Sequence, residues 1–332
     1  MPFLPRDVAE RAEASPAPPR HPGPESEESG SASAKPSGPA GEATYTDAER
    51  QEMIRDYLAK MFDGVPGRVY IGYAKPTGNL GGDKLKTSMV GRTYPTANLD
   101  SAWRYALSRD LDPVPGVYVR STTLPDDFPQ DAGKRRGKAE ESHFMPALQG
   151  DWDLEGPGHK DLRDDNLSRP GSFDDLLKLL ATASLPEPTW WVSSGGGFYP
   201  IWQFDQALDL TDSEMYARAE RLSKALHEHV AAVAKTFGWA IDNTSDLARV
   251  YRLPGTTNRK VPGVPVVARV TAETGLKYTL ADWEARAESW TAPRTAAGAA
   301  GAAAGGPSGA AGGKGSGSNG SEPFPATTCD AW

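Results

Sequence analysis

Two aspartates flanking a tryptophan, Asp151-Trp152-Asp153, have a spacing that could support catalysis. They follow an apolar stretch. Side chains alternate in an extended chain, so both carboxylates share one face while Trp152 faces the core. Carboxylates this close raise each other's pKa unless a cation neutralises them, and hard oxygen ligands suit Mg²⁺ or Mn²⁺. The pattern predicts a metal site, although two aspartates at this spacing also occur in exposed turns.

A run of glycines is the second such segment, Ser194-Gly195-Gly196-Gly197-Phe198-Tyr199, which follows a short apolar stretch. Glycines permit positive φ and close approach, so backbone N–H groups can point into a concave site for phosphate oxygens. A hairpin turn is the alternative interpretation, because apolar residues resume directly afterwards.

A long polar segment, residues 241–260, is the third. Asp242 ends the apolar run before it, and the spacing of three between Arg249 and Arg252 predicts a shared helical face. Arginine pairs suit phosphate groups, whether of a triphosphate or of a nucleic acid backbone. An ion-pair network that only stabilises the fold is the alternative.

A turn is predicted inside the same segment. Pro254 and Gly255 suit the central positions of a type II turn. Such a turn would direct Thr256 and Asn258 back toward the cleft that holds the other two segments.

Together the three segments resemble motifs I, II and III of the archaeo-eukaryotic primase-polymerase superfamily, in particular the bifunctional primase/polymerase domain of phages, plasmids and other mobile elements. The resemblance covers about residues 65–270, and its most specific part is D-L-A-R-x-x-R-L-P-G-T-x-N at residues 246–258. It implies an α+β (α/β) primase-polymerase catalytic fold, with mixed β-sheets and flanking helices around a metal-binding cleft. It also implies DNA primase/polymerase activity, in which nucleoside triphosphates are joined on a template by a two-metal mechanism.

The resemblance also implies roles for individual residues. The catalytic carboxylates, which would hold two Mg²⁺ or Mn²⁺ ions, are Asp151, Asp153 and Asp242. The nucleotide-binding residues are Ser194, Gly195, Gly196, Gly197, Tyr199, Arg249 and Arg252.

One position departs from the superfamily pattern. The second motif usually ends in a histidine that contacts nucleotide phosphates, and Tyr199 stands there instead. A phenol carries no positive charge at neutral pH, so activity could be weaker, altered or lost. His159 lies six residues beyond Asp153 and is either near the cleft or a loop histidine of no consequence.

Helices and strands that would position these segments follow from periodicity and capping signals. Predicted helices begin at the Thr46/Glu49 capping box, at Leu99 after Thr96 or Asn98, at Ser172, and at Thr211 with Glu214. Predicted strands cover residues 69–73, 117–120, 189–192 and 264–270, and residues 144–148 form an apolar stretch before the first motif. The Gly/Lys-rich residues 78–86 are predicted to form a loop.

Composition divides the 332-residue chain into three parts. We expect a disordered N-terminal arm at residues 1–44, a catalytic domain at 45–292 and a disordered Gly/Ala/Ser-rich tail at 293–332. The single cysteine permits no internal disulfide and no cysteine-cluster zinc site. No apolar run approaches 18 residues, so we expect a cytoplasmic protein without a membrane segment.

Charge restricts the expected partners. A net charge of −8 argues against a broadly basic nucleic-acid-coating protein, so contacts with DNA must be local. Two basic clusters qualify, although the first could be only a solvated loop: Lys134, Arg135, Arg136 and Lys138, and Arg249, Arg252, Arg259 and Lys260. Expected partners are a single-stranded DNA template, nucleoside triphosphates and a separate helicase, because the chain contains no Walker-type sequence.

Two other functions compete with this prediction. A replication initiator or DNA-binding protein on the same fold, with catalysis decayed, would explain Tyr199. A D-x-D glycosyltransferase binding a sugar nucleotide through Mn²⁺ would not explain the RLPGTTN segment.

Overall fold

The computed structural model describes residues 45–79, 85–112, 114–159, 161–162, 164 and 166–291. The segments predicted to be disordered, 1–44 and 293–332, lie outside the described residues, as does part of the stretch 78–86. The five-helix, twelve-strand architecture that follows is that of the described residues.

The helices and strands have the following bounds. The helices are α1 (Asp47–Phe62), α2 (Leu99–Leu111), α3 (Phe173–Thr182), α4 (Ser213–Thr236) and α5 (Leu280–Thr291). The first six strands are β1 (Arg68–Asn79), β2 (Leu85–Pro95), β3 (Val117–Arg120), β4 (Asp131–Gly133), β5 (Phe144–Gln149) and β6 (Trp152–Asp153). The others are β7 (Trp190–Ser193), β8 (Gly197–Asp209), β9 (Val250–Arg252), β10 (Thr257–Asn258), β11 (Val266–Val267) and β12 (Arg269–Glu273). Short 3₁₀ turns occupy Thr96–Asn98 and Ala139–Glu141.

Two five-stranded sheets form the framework. Sheet 1 has the order β4-β2-β1-β3-β9, and sheet 2 has the order β12-β7-β8-β5 with β6 paired to β8. A separate two-stranded ladder joins β10 and β11. The ladders between these strands are antiparallel. The predicted α+β class is confirmed.

Sheet 2 is buried on both faces. Phe198 and Trp202 of β8 pack with α3, α4 and α5, whereas Tyr199 and Ile201 pack with α1, α2 and sheet 1. A strand covered on both sides reads as an almost continuous apolar run, which is the pattern of β8. The candidate segments at the ends of β6, β7 and β8 are therefore held on a rigid sheet.

Most helix starts agree with the sequence. The predicted N-caps that are confirmed are Thr46, Asn98 and Ser172. The start of α4 is a correction, because its N-cap is Asp212, which accepts from the backbone N–H groups of Glu214 and Met215. Thr211 instead donates its hydroxyl to Asp209.

Two predicted segments differ from the structure. The stretch 78–86 was predicted as a loop, but β2 begins at Leu85 and forms a hairpin with β1. The predicted strand 264–270 is divided, because Ala268 leaves the ladder to exchange backbone hydrogen bonds with Gly255 and Thr256. Among the described helices, none is long and apolar enough to cross a membrane.

A buried carboxylate joins three parts of the fold. Asp110 of α2 is 0% exposed. It pairs with Arg50 of α1 and lies 3.0 Å from Arg259 Nη1. It also accepts from the N–H of Thr257 at 2.8 Å and from its hydroxyl at 3.1 Å. The segment that carries the third motif is therefore anchored to the first two helices.

We predict that Asp110→Ala lowers the free energy of unfolding by about 3–5 kcal/mol, because two arginines lose their buried counter-charge. Urea denaturation monitored by tryptophan fluorescence would measure the loss. The exposed Asp63→Ala substitution serves as the control, with an expected change within about 0.5 kcal/mol. Equal stability of the two variants would contradict the anchoring role.

Candidate functional site

Asp151 and Asp153 lie at the same edge of sheet 2 with their side chains partly exposed, because the tryptophan between them is buried in the core. Trp152 is 2% exposed and packs edge-on against Trp191 and Trp202, with ring centroids 5.6 and 6.3 Å away. The side chains of Asp151 and Asp153 remain 21% and 27% exposed. The predicted inward orientation of Trp152 is confirmed.

The first and second motifs are adjacent because Gly197 lacks a side chain. Asp153 pairs with Gly197 across the β6–β8 ladder. A Cβ at Gly197 would come within 2.5 Å of the Trp152 carbonyl oxygen and 2.7 Å of Asp153 Cα. Such distances are not tolerated between real atoms, so glycine is required for the aspartates to lie beside the turn.

The glycine segment is a turn between β7 and β8, as its alternative interpretation predicted, and its carbonyl groups are occupied. Asn258 donates to the Ser194 carbonyl at 2.9 Å, and the Leu154 N–H donates to the Gly196 carbonyl at 3.0 Å. Gly195 has φ +86°. Within the described residues, the N–H groups of Gly195 and Gly196 donate no hydrogen bond. Two unpaired N–H groups in a glycine turn suit an anion.

His159 lies between the first two motifs. Its Nε2 is 3.1 Å from the Gly196 carbonyl oxygen, and its Nδ1 is 2.9 Å from Asp153 Oδ2. A carbonyl oxygen only accepts, so Nε2 carries the hydrogen in the first contact. The sequence left open whether this histidine is near the cleft, and the structure places it there.

Asp151 faces both a cation and an anion. Arg249 Nη2 lies 3.4 Å from Asp151 Oδ2. Burial and the negative charge of Asp153 raise the pKa of Asp151 to about 6, against the lowering effect of Arg249. The negative charge of Asp242 contributes to the same rise. The carboxylate pair therefore carries unfavourable charge repulsion that an added cation would relieve.

The two motif III arginines diverge, which corrects the prediction of a shared helical face. Residues 250–252 form a strand, and an odd spacing in a strand puts side chains on opposite sides. Arg249 reaches Asp151, whereas the buried Arg252 donates to the Tyr118 hydroxyl at 3.0 Å and to the Pro115 carbonyl at 3.3 Å.

The turn after β9 is confirmed in part. Gly255 has φ +84°, and the Thr256 N–H donates to the Leu253 carbonyl across the turn. Asn258 reaches the glycine turn as expected. Thr256 does not point toward the cleft, because its side chain is buried and its hydroxyl donates to the Leu253 carbonyl at 2.6 Å.

Tyr199 is a core residue at the back of the site. It is buried, and its ring packs edge-on against Tyr251 with centroids 5.1 Å apart. Burial, with a further contribution from Asp151, raises the pKa of Tyr199 well above its usual value. The phenol therefore stays neutral at physiological pH and adds no positive charge.

Asp151 and Asp153 fit a divalent cation in chemistry, and Asp242 is near enough for its charge to act on Asp151 without joining the pair in one cluster. Asp151 and Asp153 offer hard oxygen atoms and relief of charge repulsion. Asp242 lies in an exposed irregular segment. Among the described residues, no group of three His, Cys, Asp or Glu side chains is arranged to hold a metal ion.

Helix α4 holds the irregular segment that carries Asp242. His227 Nε2 lies 2.7 Å from the Thr244 hydroxyl, and its Nδ1 lies 2.8 Å from the Ser223 carbonyl. Ser223 donates its hydroxyl to the Ser245 carbonyl at 3.0 Å. Because Nδ1 must donate to a carbonyl, neutral His227 accepts from Thr244.

One supporting residue was missed by the sequence reasoning. Asp110 anchors the third motif. In the sequence, the one feature that could have revealed it is an acidic residue spaced to share a helix face with apolar residues. Those apolar positions are Ala102, Trp103 and Ala106. A charged residue there indicates a buried partner, because charges are rarely buried unpaired.

Comparison with known proteins yields two solved structures. The chain is similar to the primase-polymerase (PrimPol) domain of cyanophage S-2L, with 17% identity, a TM-score of 0.45 and coverage of 71% of this chain and 96% of that one. It is also similar to the primase RepB′, with 16% identity, a TM-score of 0.43 and coverage of 73% and 62%. At these identities and TM-scores the likeness concerns the fold alone, and no residue's role follows from it.

Sequence comparisons add nothing further. No family model matches the chain, and no curated protein matches it.

The buried histidine predicts a specific pH dependence of stability. Burial lowers the pKa of His227, and Arg249 lowers it further. A lowered pKa in the folded state means that the unfolded chain binds a proton first, so stability falls as pH drops below about 6.5. We expect the native protein to lose more unfolding free energy between pH 7.5 and pH 5.5 than a His227→Gln variant. Urea denaturation at both pH values measures this, and parallel losses would contradict it.

Proposed function

We propose that the chain is a DNA primase/polymerase that joins nucleoside triphosphates on a single-stranded DNA template with Mg²⁺ or Mn²⁺, in replication of a phage or other mobile element. The observation that carries the proposal is the adjacency of Asp151 and Asp153 to a glycine turn with unpaired N–H groups. Carboxylates suit a divalent cation and the turn suits a phosphate, and a nucleoside triphosphate with its metal requires both.

The carboxylates would supply the metal ligands. Asp151 and Asp153 would hold a divalent ion, and Asp242 would join them if its segment moves inward. A bound ion would stabilise the charge that develops as a primer 3′-hydroxyl attacks the α-phosphate and pyrophosphate leaves.

The turn and one arginine would bind the anionic part of the substrate. The N–H groups of Gly195 and Gly196 are available for phosphate oxygens, and Ser194 is held in place by Asn258. Arg249 would be shared between Asp151 and a phosphate once a metal ion neutralises the carboxylate. Arg252 would have a structural role, because its guanidinium donates hydrogen bonds to the Tyr118 hydroxyl and the Pro115 carbonyl.

We predict that Asp151→Asn and Asp153→Asn each reduce nucleotide incorporation by about a hundredfold or more, because each removes a metal ligand's charge at constant volume. The assay is incorporation of labelled nucleotides on single-stranded DNA, with and without an annealed primer, in Mg²⁺ or Mn²⁺. Asp161→Asn, at an exposed position, should leave the rate unchanged. Full activity of the Asp151→Asn/Asp153→Asn protein would rule out the mechanism.

His159 is predicted to be a positioning residue. The His159→Ala substitution removes the contacts of the imidazole with the Asp153 carboxylate and the Gly196 carbonyl. Loss of a contact that orients a metal ligand typically weakens metal binding by about 10–100-fold. Mn²⁺ affinity, measured by electron paramagnetic resonance of the free ion, reports this independently of synthesis. His229→Ala, in which the lost contacts are to Trp290 and Ala183, is the control. Unchanged Mn²⁺ affinity in His159→Ala would refute the role.

A second candidate is a replication initiator that binds DNA without synthesis. It is favoured by the buried, neutral Tyr199 and by the exposed position of Asp242 outside the carboxylate pair. The incorporation assay separates the two candidates, since an initiator would bind the template and yield no metal-dependent product.

A further inference from the structure

An open groove with a volume of about 790 Å³ lies between the end of β4 and the 3₁₀ turn that follows it. It is lined by residues 134–138, 140 and 141. The four cationic side chains among them, here called the basic loop, are Lys134, Arg135, Arg136 and Lys138. Two of the lining residues are acidic, and one of them, Glu141, pairs with Arg135.

The basic loop is built around a buried arginine. Arg120 is 0% exposed, and each of its five N–H groups has a neutral oxygen partner. The partners are the carbonyls of Arg136, Gly137 and Lys138 and the hydroxyls of Thr122 and Ser142, at 2.6–3.0 Å. Because the loop carbonyls point inward to Arg120, the loop is fixed with its long cationic side chains toward the groove.

A glycine allows this close approach of loop and arginine. Gly137 has φ +83°, and a Cβ there would lie 2.5 Å from Leu124 Cδ2 and 3.0 Å from Arg120 Nη1. The conformation of the loop therefore depends on glycine at position 137.

Arg120 has no acidic partner within ion-pair distance among the described residues. Burial lowers the pKa of Arg120 to about 10, against the raising effect of the negative charges of Asp246 and Glu141, and leaves the guanidinium charged at neutral pH. The groove is therefore lined by four cationic and two acidic side chains, and the buried Arg120 adds a further positive charge beneath the loop, in a chain whose net charge is −8. An excess of positive charge of this kind attracts an external anion to the side chains that line the groove.

The same network reaches the candidate site. Thr122 and Ser142, which bind Arg120, also donate to the Leu247 carbonyl at 2.9 and 3.4 Å. Leu247 lies two residues before Arg249, whose guanidinium contacts Asp151. The groove and the carboxylate pair are thus connected by hydrogen bonds and by the short backbone segment from Leu247 to Arg249.

We propose that the basic loop is a docking surface for the phosphate backbone of single-stranded DNA. Several cations along a groove fit a repeating row of phosphates better than one compact triphosphate. The choice of DNA as the ligand rests on the proposed function, whereas the affinity of the groove for phosphates rests on its own charges.

The test compares two triple variants with the same change in charge. Lys134→Gln/Arg136→Gln/Lys138→Gln alters the basic loop, and Arg221→Gln/Lys224→Gln/Lys235→Gln alters exposed positions of α4. Arg135 is left in place because it pairs with Glu141. Binding of a labelled oligothymidylate of about 20 nucleotides is followed by fluorescence anisotropy at several NaCl concentrations, without divalent metal. Binding of a nucleoside triphosphate with Mg²⁺ is measured in parallel, and urea denaturation verifies the fold.

We expect the loop variant to bind the oligonucleotide about tenfold or more weakly, with a salt slope about two units shallower because three phosphate contacts are lost. The α4 variant should bind like the native protein, and triphosphate binding should be unchanged. Unaltered oligonucleotide binding, an equal loss in the α4 variant, or an equal loss of triphosphate binding would each overturn the proposal. Absence of synthesis would count against the proposed function alone, since oligonucleotide binding is measured without it.

Discussion

The close contact between β6 and the first residue of β8 is the constraint on which the candidate site depends. With Gly197 beneath Asp153, the strand that carries the carboxylates lies directly against the turn that carries the unpaired N–H groups. Trp152 fixes the orientation of that strand by packing between aromatic rings in the core. The carboxylate pair and the glycine turn are thereby held side by side, as the proposed binding of a cation and an anion would require. Such pre-organisation removes much of the ordering cost of binding.

A segment without regular secondary structure completes the site. Side chains supply it with the hydrogen bonds that neighbouring backbone supplies in a strand or helix. The segment from Asp242 to Arg249 forms neither a strand nor a helix. His227 and Ser223 bind it from α4, and Ser121, Thr122 and Ser142 donate to the Leu247 carbonyl from the opposite side. Buried polar groups of this kind are costly unless each has a partner, so the bonds specify one conformation. That conformation aims Arg249 at Asp151.

The sequence predicted elements well where one local signal dominates. Amphipathic spacing and capping residues located α1, α2 and α3, and the apolar runs located β3, β5 and β7. It failed where pairing decides the structure. Nothing in LKTSMVGRTYP alternates clearly, and β2 exists because β1 supplies its hydrogen bonds. The spacing of Arg249 and Arg252 suggested a helix, but β3 draws the segment into sheet 1. Helix α5 was not predicted, because only Trp283 marks its buried face strongly.

For the site, the sequence indicated the residue types but not their electrostatic state. Two aspartates near an arginine and a histidine could form a cluster of salt bridges in which the charges neutralise one another and no ligand is required. The structure instead leaves a deficit of positive charge at Asp151, where burial, Asp153 and Asp242 outweigh Arg249. It leaves an excess of positive charge in the basic loop, whose carbonyls bind the buried Arg120. The two regions are connected through the segment that contains Leu247 and Arg249. In the proposed function, a metal-bound nucleotide would bring a cation to the first region and a nucleic acid strand would bring phosphates to the second, so that one substrate complex would relieve both imbalances.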